Sequence, residues 1–352
     1  MKAAVWYGHK DIRVMDKPIP EVTQDDVRVK VAWAGICGTD RHEYVGPVFI
    51  PVTKPHRLTG KTAPLIIGHE FTGIVDAVGE NVTGWKVGDR VTASGNLVCG
   101  KCRWCLEGRI NICEKLGFNG ISKDGAFAEY VTVNKDRLFK VPDSVSLEDA
   151  VLTEPLACGV HSTKLIGDVS GKKVVVIGPG MIGISCILAA KAAGADKILA
   201  IGVGNSKKEL LTKIGVTYID LKEEDPIEYT RKWSAGSMAD IVYECVGIEA
   251  TLDTALNVSR NGAKIMVMGV FEKAPRFNMN LFQEGERILL SSQAYNEEFP
   301  EVLEYMEKGI IPSQDLITAK ITLDNIVEDG FEELLRNPDK HIKIAIKIAD
   351  LD

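Results

Sequence analysis

The sequence feature that most constrains the fold is an apolar stretch that leads directly into a glycine-rich turn. Residues 174–177 are continuously apolar, the turn follows at 178–183, and residues 184–190 have the composition of a buried helix. A short apolar run bounded by such a turn is typical of a strand that is covered on both faces. Apolar strands and helical segments alternate in this way to about residue 268, which predicts a parallel sheet between two layers of helices.

The residues before this region predict a different architecture, because few of them have a helical period. Short runs in which apolar and polar residues alternate indicate strands at 27–31, 71–78 and 90–92. An apolar run at 342–346 predicts a last strand, which we expect to return to the first half. The sequence thus predicts a mostly β domain formed by residues 1–155 and 295–352, and an α/β domain formed by residues 156–294.

Composition and charge argue against several classes of function. The chain has 352 residues, 45% of them hydrophobic, which suffices for two cores. Its net charge of −7 argues against nucleic acid or an anionic membrane as a partner, and no apolar run approaches the length of a membrane span. The eight cysteines are too unevenly placed for a disulfide framework, so we expect a reducing, cytoplasmic setting.

Half of the cysteines form a cluster with the spacing C-x2-C-x2-C-x7-C, namely Cys99, Cys102, Cys105 and Cys113. Four thiolates at this spacing fit a closed, tetrahedral structural zinc site. The surrounding segment is polar and has little core of its own, so a metal would hold it together. Unliganded thiols and an iron–sulfur site are the open alternatives. A zinc ribbon that binds nucleic acid is disfavoured by the negative net charge.

A second set of metal-binding residue types is spread over three motifs. Cys37 lies in Gly-Ile-Cys-Gly-Thr-Asp, His69 and Glu70 lie in Gly-His-Glu, and Glu154 lies in Thr-Glu-Pro. Sulfur, imidazole and carboxylate ligands with one position free for water describe a catalytic zinc site. Taken singly, these residues would be explained by a buried thiol, a structural histidine and a carboxylate at a helix start. Their joint occurrence favours the metal site.

The glycine-rich turn fits G-x-G-x-x-G, and it follows a strand and opens a helix, as the dinucleotide-binding fingerprint requires. Backbone N–H groups and the positive end of the helix would bind a pyrophosphate there. The alternative is a tight strand–helix turn without a ligand. The predicted cofactor-binding residues of this turn are Gly178, Gly180, Met181, Ile182 and Gly183.

The second strand of the α/β region ends at Gly202, where the fingerprint of NAD-binding proteins has a carboxylate. A glycine removes the charge that would repel a 2′-phosphate, and Ser206, Lys207 and Lys208 offer partners for one. These residues favour NADP over NAD. The alternative is that the lysines only solvate a helix face and that either cofactor is used. Glu244, at the end of a buried strand, and Gly269 and Val270, after a later strand, are interpreted either as residues that approach the nicotinamide side or as ordinary strand ends.

The motifs occur in one order along the whole chain, and together they resemble the zinc-dependent medium-chain dehydrogenases. Within that family the sequence is similar to the polyol branch, which contains sorbitol, threonine and 2,3-butanediol dehydrogenases. The loop at 46–64 and the run at 294–300 are most similar to the (R,R)-butanediol dehydrogenases. The resemblance implies a GroES-like β-barrel catalytic domain and a Rossmann cofactor domain.

The resemblance also implies roles for individual residues. Cys37, His69 and Glu70 would hold the catalytic zinc, with Glu154 bound to it directly or through a water. Thr39 and His42 match a relay that takes the proton of the substrate hydroxyl to solvent.

The expected activity is hydride transfer between a nicotinamide cofactor and a vicinal diol or small polyol, with 2,3-butanediol and acetoin as the first pair to consider. Sorbitol-like polyols and L-threonine are the alternatives. A structural, crystallin-like descendant is disfavoured because all the ligand types are present. Family members are often dimers or tetramers, and residues 289–292 are a candidate strand for pairing across a two-fold axis.

Overall fold

The computed structural model describes residues 1–351, which divide into two units. Unit 1 comprises Met1–Glu154 and the segment that begins at Phe299, and unit 2 comprises Pro155–Glu298. The second boundary lies four residues later than the sequence suggested. Nδ1 of His161 is 3.0 Å from Oε1 of Glu298, so the residues just before Phe299 belong to unit 2. No helix within residues 1–351 is long and apolar enough to cross a membrane.

The N-terminal part of unit 1 is built from short strands. They are β1 (Lys2–Gly8), β2 (Asp11–Asp16), β3 (Asp26–Gly35), β4 (Leu65–Ile66), β5 (Glu70–Val78), β6 (Arg90–Ala93), β7 (Asn96–Leu97), β8 (Gly117–Phe118), β9 (Tyr130–Asn134) and β10 (Leu138–Lys140). Three short helices interrupt them: α1 (Gly38–Val45), α2 (Arg103–Leu106) and α3 (Leu147–Ala150). Strand β3 alternates at its start, where Val27, Val29 and Val31 are buried, and this is the predicted period of two.

A longer helix, α4 (Thr153–Ile166), crosses the boundary into unit 2, which is a parallel sheet with helices between its strands. The strands are β11 (Lys173–Ile177), β12 (Lys197–Gly202), β13 (Thr217–Asp220), β14 (Ala239–Glu244), β15 (Ser259–Val267) and β16 (Ile288–Ser291). The helices are α5 (Met181–Ala192), α6 (Lys208–Lys213), α7 (Pro226–Trp233), α8 (Glu249–Val258) and α9 (Met279–Glu284).

The spatial order of the sheet in unit 2 is β13-β12-β11-β14-β15-β16. This is the strand order 3-2-1-4-5-6 of the doubly wound dinucleotide-binding fold. The order reverses between β11 and β14, and ligands of such sheets bind outside the carboxyl ends of the strands at that point. The core of the sheet is apolar on both faces, because the adjacent β11 residues Val175 and Val176, which point to opposite faces, are both fully buried. The predicted α/β fold class is confirmed.

The chain then returns to unit 1 through α10 (Phe299–Glu307), β17 (Ile317–Thr322), a π-helix at Ile326–Glu332, α11 (Glu333–Arg336) and β18 (Lys343–Lys347). Strand β18 pairs antiparallel with β3, with Ala345 opposite Gly35. The larger sheet of unit 1 has the order β10-β6-β5-β3-β18-β17, and β9 also pairs with β3. Strand β18 of the C-terminal tail is therefore an interior strand of the sheet that carries the metal-ligand candidates, and β17 forms its edge.

Candidate active site and metal centres

Strand pairing in unit 1 brings together three of the predicted metal ligands. Cys37 follows β3 and begins α1, whereas Glu70 is the first residue of β5 and follows His69 directly. Strands β3 and β5 pair antiparallel with Gly35 opposite Glu70, so the end of one strand meets the start of the other. One ligand atom from each of Cys37, His69 and Glu70 lies within 4.8 Å of the other two.

Asp40 supports this cluster from the first turn of α1. Its Oδ2 accepts a hydrogen bond from the backbone N–H of Cys37 at 3.0 Å, which completes a capping box at the start of the helix. Its Oδ1 lies 3.5 Å from Nδ1 of His69, too far for a well-formed hydrogen bond. Nδ1 of His69 is buried and has no hydrogen-bond partner among residues 1–351. Asp40 thus stands where a carboxylate orients a metal-binding imidazole.

Lys343 forms a buried ion pair with the third ligand candidate. Its Nζ lies 2.6 Å from both carboxylate oxygens of Glu70 and donates to the carbonyl oxygen of Ile36 at 3.0 Å. Burial lowers the pKa of Lys343, but the nearby charges of Glu70 and other acidic groups outweigh burial and leave it raised. A Cβ at position 35 would lie 2.2 Å from Oε2 of Glu70, which explains the glycine there.

The residues of this cluster fit a zinc ion. Sulfur, nitrogen and oxygen atoms of a tetrahedral zinc site lie about 3.2–3.8 Å from one another, which the three side chains reach with small adjustments. Burial lowers the pKa of His69, but the charges of Asp40 and Cys37 raise it well above its ordinary value.

Glu154, the fourth predicted ligand, occupies the first turn of α4 and is buried. It lies outside the group of three residues whose ligand atoms come within 4.8 Å of one another. Its negative charge contributes to the raised pKa of Lys343, so it acts on the same buried cluster. A bond from Glu154 to the metal remains a prediction.

The predicted proton relay lies on α1. Thr39 and His42 are three residues apart on this helix, so their side chains share one face. Both residues are partly exposed, as a route to solvent requires. The backbone N–H of Thr39 also points to Sγ of Cys37 at 3.5 Å, which links the start of the relay to the metal-ligand cluster.

The four clustered cysteines form a second candidate metal centre. Their sulfur atoms lie within 4.8 Å of one another. Sγ of Cys102 is 3.5 Å from that of Cys105 and 3.9 Å from that of Cys113, close to the ~3.8 Å edge of a tetrahedral ZnS4 site. Hydrogen bonds from the N–H groups of Glu114 and Cys105 lower the pKa of Cys102 to about 6. Cys102 thus favours the thiolate that a zinc ion requires, whereas burial raises the pKa of Cys105 to about 12, so this thiol would have to lose its proton when a metal binds.

In unit 2 the glycine-rich turn has the geometry of the fingerprint. Gly178 has φ +85°, and a Cβ at Gly183 would lie 2.1 Å from the carbonyl oxygen of Gly178. A Cβ at Gly180 would meet nothing within 4 Å, so open space lies in front of the turn. Helix α5 begins at Met181 with no side-chain cap, which leaves the N–H groups of Met181 and Ile182 at a helix start available to an anion. The turn therefore fits a dinucleotide pyrophosphate.

Gly202 ends β12 beside the same turn. A Cβ there would lie 3.0 Å from Cδ of Pro179 and 3.0 Å from the ring of Tyr218, so the site is narrow. Ser206 and Lys208 are exposed and Lys207 is half-buried, just before and at the start of α6.

An acid that the sequence interpretation missed lies one strand away from Gly202. Asp220 ends β13 opposite Gly202 in the sheet. The N–H groups of Lys222 and Gly204 donate to its carboxylate and lower its pKa. The negative charge therefore helps to hold the turn that follows β12.

The sequence interpretation also missed two residues that contact the candidate metal ligands. Lys343 is a charged residue within the apolar run Ile342–Lys343–Ile344, and such an interruption is a usable signal for a buried ion pair. Asp40 lies within the motif that contains Cys37, and a carboxylate three residues after a helix cap is the mark of a capping box. Neither signal identifies the partner of the charge.

Comparison with known proteins identifies the family to which this chain belongs. Residues 23–143 match the family described as alcohol dehydrogenase GroES-like domain, and residues 182–308 match the family described as zinc-binding dehydrogenase. The chain is 36% identical over 349 residues to (R,R)-butanediol dehydrogenase of Bacillus subtilis (strain 168), covering 99% of both chains. It is 31% identical to sorbitol dehydrogenase of the same strain, over 98% of this chain and 97% of that protein.

Solved structures agree with these sequence matches. The crystal structure of 2R,3R-butanediol dehydrogenase from Bacillus subtilis matches with a TM-score of 0.92 and 34% identity over 99% of both chains. A matched structure from Sinorhizobium meliloti 1021, with a TM-score of 0.88 and 29% identity over 98% of both chains, was solved bound to NADP. One from E. coli CFT073, with a TM-score of 0.89 and 25% identity over 99% of both chains, was solved with NADH.

The predicted family, with its GroES-like and dinucleotide-binding architecture, is thereby confirmed. This chain belongs to the zinc-dependent medium-chain alcohol dehydrogenases, a family of oxidoreductases, and it is similar over nearly its whole length to the (R,R)-butanediol dehydrogenases.

Proposed function

We propose that this chain is an NADP-dependent zinc dehydrogenase that oxidises a vicinal diol to a hydroxyketone and catalyses the reverse reduction, with 2,3-butanediol and acetoin as the substrate pair. The observation that carries the proposal is the group formed by Cys37, His69 and Glu70, whose ligand atoms lie within 4.8 Å of one another. The substrate follows from the 36% identity to the Bacillus subtilis butanediol dehydrogenase. Sorbitol-type polyols and L-threonine are the alternatives, since dehydrogenases named for both substrates are also similar.

Cys37, His69 and Glu70 would hold the catalytic zinc, and Glu154 would adjust the charge of the cluster from α4. A bound zinc acts as a Lewis acid and makes an alcohol hydroxyl acidic near neutral pH. Thr39 accepts the hydroxyl proton, and His42 passes it to solvent. Overall, the alcohol would lose a proton to this relay and a hydride to the nicotinamide, which would leave a ketone.

The glycine-rich turn of unit 2 would bind the cofactor. The N–H groups of Met181 and Ile182 would face the pyrophosphate, and Gly180 would leave room for it. Gly202 itself would add no negative charge at the end of β12, and Lys208 would pair with a 2′-phosphate. Gly269 and Val270, which follow β15, would contact the nicotinamide side.

NAD is the second candidate cofactor, and a specific observation favours it. The carboxylate of Asp220 lies on the strand next to Gly202 and accepts a hydrogen bond from the N–H of Gly204. Its negative charge lies next to the turn where a 2′-phosphate would bind, and like charges repel. The arrangement of the lysines favours NADP, whereas the acid favours NAD.

Initial rates with the purified, zinc-loaded enzyme would test the proposal. NADP and NAD are each offered with the (R,R), (S,S) and meso forms of 2,3-butanediol, and with sorbitol and L-threonine. We expect the highest kcat/KM for a diol with an R centre together with NADP. Higher kcat/KM with sorbitol or threonine would overturn the substrate assignment and leave the zinc chemistry intact.

The cofactor assignment has its own variant. Lys208→Ala should weaken NADPH binding about tenfold and leave NADH binding unchanged, because one charge-assisted bond to the 2′-phosphate is lost. Lys213→Ala, at the other end of the same helix, is the control. Equal affinity of Lys208→Ala and the unchanged chain for NADPH would contradict NADP selection by this lysine.

A further inference from the structure

A buried carboxylate lies at the point where the strand order of unit 2 reverses. Glu244 is the last residue of β14, next to β11, and it is fully buried. Its Oε1 accepts hydrogen bonds from the N–H groups of Val246 and Gly247, each at 2.9 Å, and from the hydroxyl of Thr251 at 2.8 Å. Such a concentration of donors on one oxygen fixes the turn that joins β14 to α8.

The backbone of the same residue holds a second turn. The carbonyl oxygen of Glu244 accepts the N–H groups of Met268 at 2.7 Å and Gly269 at 3.1 Å. These residues follow β15, the neighbouring strand. Glu244 therefore connects the turn after β14 with the turn after β15, the first through its side chain and the second through its main chain.

The two turns are in direct backbone contact, and glycine is required on both sides. A Cβ at Gly269 would lie 2.1 Å from the backbone nitrogen of Gly247 and 2.7 Å from Oε2 of Glu244. A Cβ at Gly247, which has φ +85°, would lie 2.4 Å from the carbonyl oxygen of Val270. Oε2 of Glu244 is buried against this contact and has no hydrogen-bond partner among residues 1–351.

The surface above this contact is apolar and exposed. Val246 is 43% exposed, Ile248 is 52% exposed and Val270 is 52% exposed. All three belong to the two turns that Glu244 connects. The contact also extends to the fingerprint, since a Cβ at Gly178 would lie 2.3 Å from Cγ2 of Val246. A flat ring at the carboxyl ends of these strands would find an apolar platform next to the pyrophosphate turn.

We propose that Glu244 is a positioning residue for the nicotinamide half of the cofactor, because it locks the turns at 245–248 and 268–270 into one platform of Val246, Ile248 and Val270 on which the ring rests. This inference rests on the proposed use of a nicotinamide dinucleotide. Glu244 does not itself contact the ring, since both of its carboxylate oxygens are buried under the turns.

The platform and the pyrophosphate turn would bind different parts of the cofactor, so their contributions can be measured separately. NADPH contains the nicotinamide ring, whereas 2′-phospho-ADP-ribose lacks it and retains the remainder. A substitution at Glu244 should therefore lower the affinity for NADPH and leave the affinity for 2′-phospho-ADP-ribose unchanged. The ratio of the two affinities separates positioning of the ring from general damage to unit 2. NADH and ADP-ribose form the equivalent pair if the enzyme prefers NAD.

The experiment measures both affinities by isothermal titration calorimetry for three variants and a control. Glu244→Ala leaves the N–H groups of Val246 and Gly247 without an acceptor, so we expect the affinity for NADPH to fall at least tenfold. Glu244→Gln keeps one oxygen acceptor and should recover part of this loss. Gly269→Ala forces the two turns apart and should resemble Glu244→Ala. The control is Glu284→Gln, an exposed position in the same unit, which should change neither affinity.

Each outcome has a distinct meaning. An equal loss of affinity for NADPH and for 2′-phospho-ADP-ribose, together with a lower melting temperature, would overturn the proposal. Glu244 would then contribute only to the stability of the fold. Unchanged NADPH affinity in Glu244→Ala would also overturn it. If the unchanged chain binds neither NADPH nor NADH, the proposed function itself fails. Because Glu244→Gln preserves the shape of the side chain, it carries the test if the alanine variant does not fold.

Discussion

At the scale of single residues, the ion pair between Glu70 and Lys343 is the most consequential contact among the candidate metal ligands and their neighbours. The ammonium group contacts both oxygens of the carboxylate and one carbonyl oxygen, so its three protons all have acceptors. A buried ion pair is costly to break from one side, because the remaining charge is left without a partner in a medium of low dielectric constant.

In the zinc-free protein, where no metal neutralises Glu70, Lys343→Met should therefore destabilise unit 1 strongly. Loss of one partner of a buried pair costs about 3–5 kcal/mol, which urea unfolding of the variant and the unchanged chain would measure. Lys347→Met on the same strand is the matched control, because its partner Asp350 is exposed, and it should change the unfolding free energy by no more than about 1 kcal/mol. Similar values for the two variants would show that Glu70 does not depend on Lys343.

At the scale of elements, we expect the segment that contains the four cysteines to depend on a bound metal more than on packing. Cys99, Cys102 and Cys105 are half-buried, and α2 within this segment has no buried residue among those described. Trp104 is covered by the guanidinium groups of Arg103 and Arg109, at 5.2 and 5.1 Å from its ring, which adds little stability on an exposed surface.

Cys105→Ser should consequently lower the zinc content from about two ions to about one per chain. It should also expose residues 99–113 to trypsin, because the metal supplies the folding energy of this segment. Zinc analysis and mapping of the tryptic cleavage sites would measure both effects. Cys37→Ser is the comparison, since it should lose the other zinc and leave the segment resistant. If residues 99–113 of Cys105→Ser stay resistant to trypsin, the alternative of unliganded thiols that pack without a metal would be favoured.

The end of the chain offers a prediction with a defined pH range. Glu333 in α11 accepts hydrogen bonds from Lys340, Asn337 and the imidazole of His341, and Lys340 contributes most to holding its pKa at about 2. A carboxylate with a depressed pKa stabilises the fold fully above its ordinary value of 4.5, and this stabilisation is lost as the pH falls towards 2.

Glu333→Gln should therefore melt at a lower temperature than the unchanged chain at pH 6. The difference between the two melting temperatures should shrink progressively below about pH 4.5. Differential scanning calorimetry over a series of pH values would measure it. A difference that stays constant down to pH 3 would mean that Glu333 contributes through packing and not through its charge.

At the scale of the whole molecule, strand β16 ends the parallel sheet of unit 2 and exposes apolar residues. It pairs with β15 in this chain, and Ile288 and Leu289 are 46% and 43% exposed. An edge strand with apolar side chains is a template for a second chain. A two-fold axis beside β16 would pair it with the same strand of another copy, and we therefore expect a homodimer or a tetramer built from such dimers.

Leu289→Lys should reduce the oligomer to single chains or weaken it greatly, because it places a charge at the expected contact. Light scattering coupled to size-exclusion chromatography would give the mass. Ile310→Lys is the matched control, as Ile310 is 45% exposed in unit 1 and lies outside the sheet edge. An unchanged mass for Leu289→Lys would place the contact elsewhere on the chain.

The patterns of the sequence were sufficient for the main elements, with errors at their ends. Residues 184–190 predicted the middle of α5, which the structure extends to Met181–Ala192, and residues 71–78 predicted β5 to within one residue. Helix α1 had no apolar period and was not predicted. It forms because Asp40 caps the N–H of Cys37, an interaction that hydrophobic patterns do not contain.

By itself, the sequence determined the family, the order of the two architectures and the chemical types of the ligands. These properties depend on local patterns. The period of a strand, the glycine turn and the cysteine spacing each involve residues that are close together in the sequence. The tertiary structure decided which charges meet. Lys343 and Glu70 are separated by 273 positions, and they pair because β18 returns to β3. Asp220 lies beside Gly202, and Glu244 joins two turns, for the same reason: pairing between strands is set by the topology of the sheet.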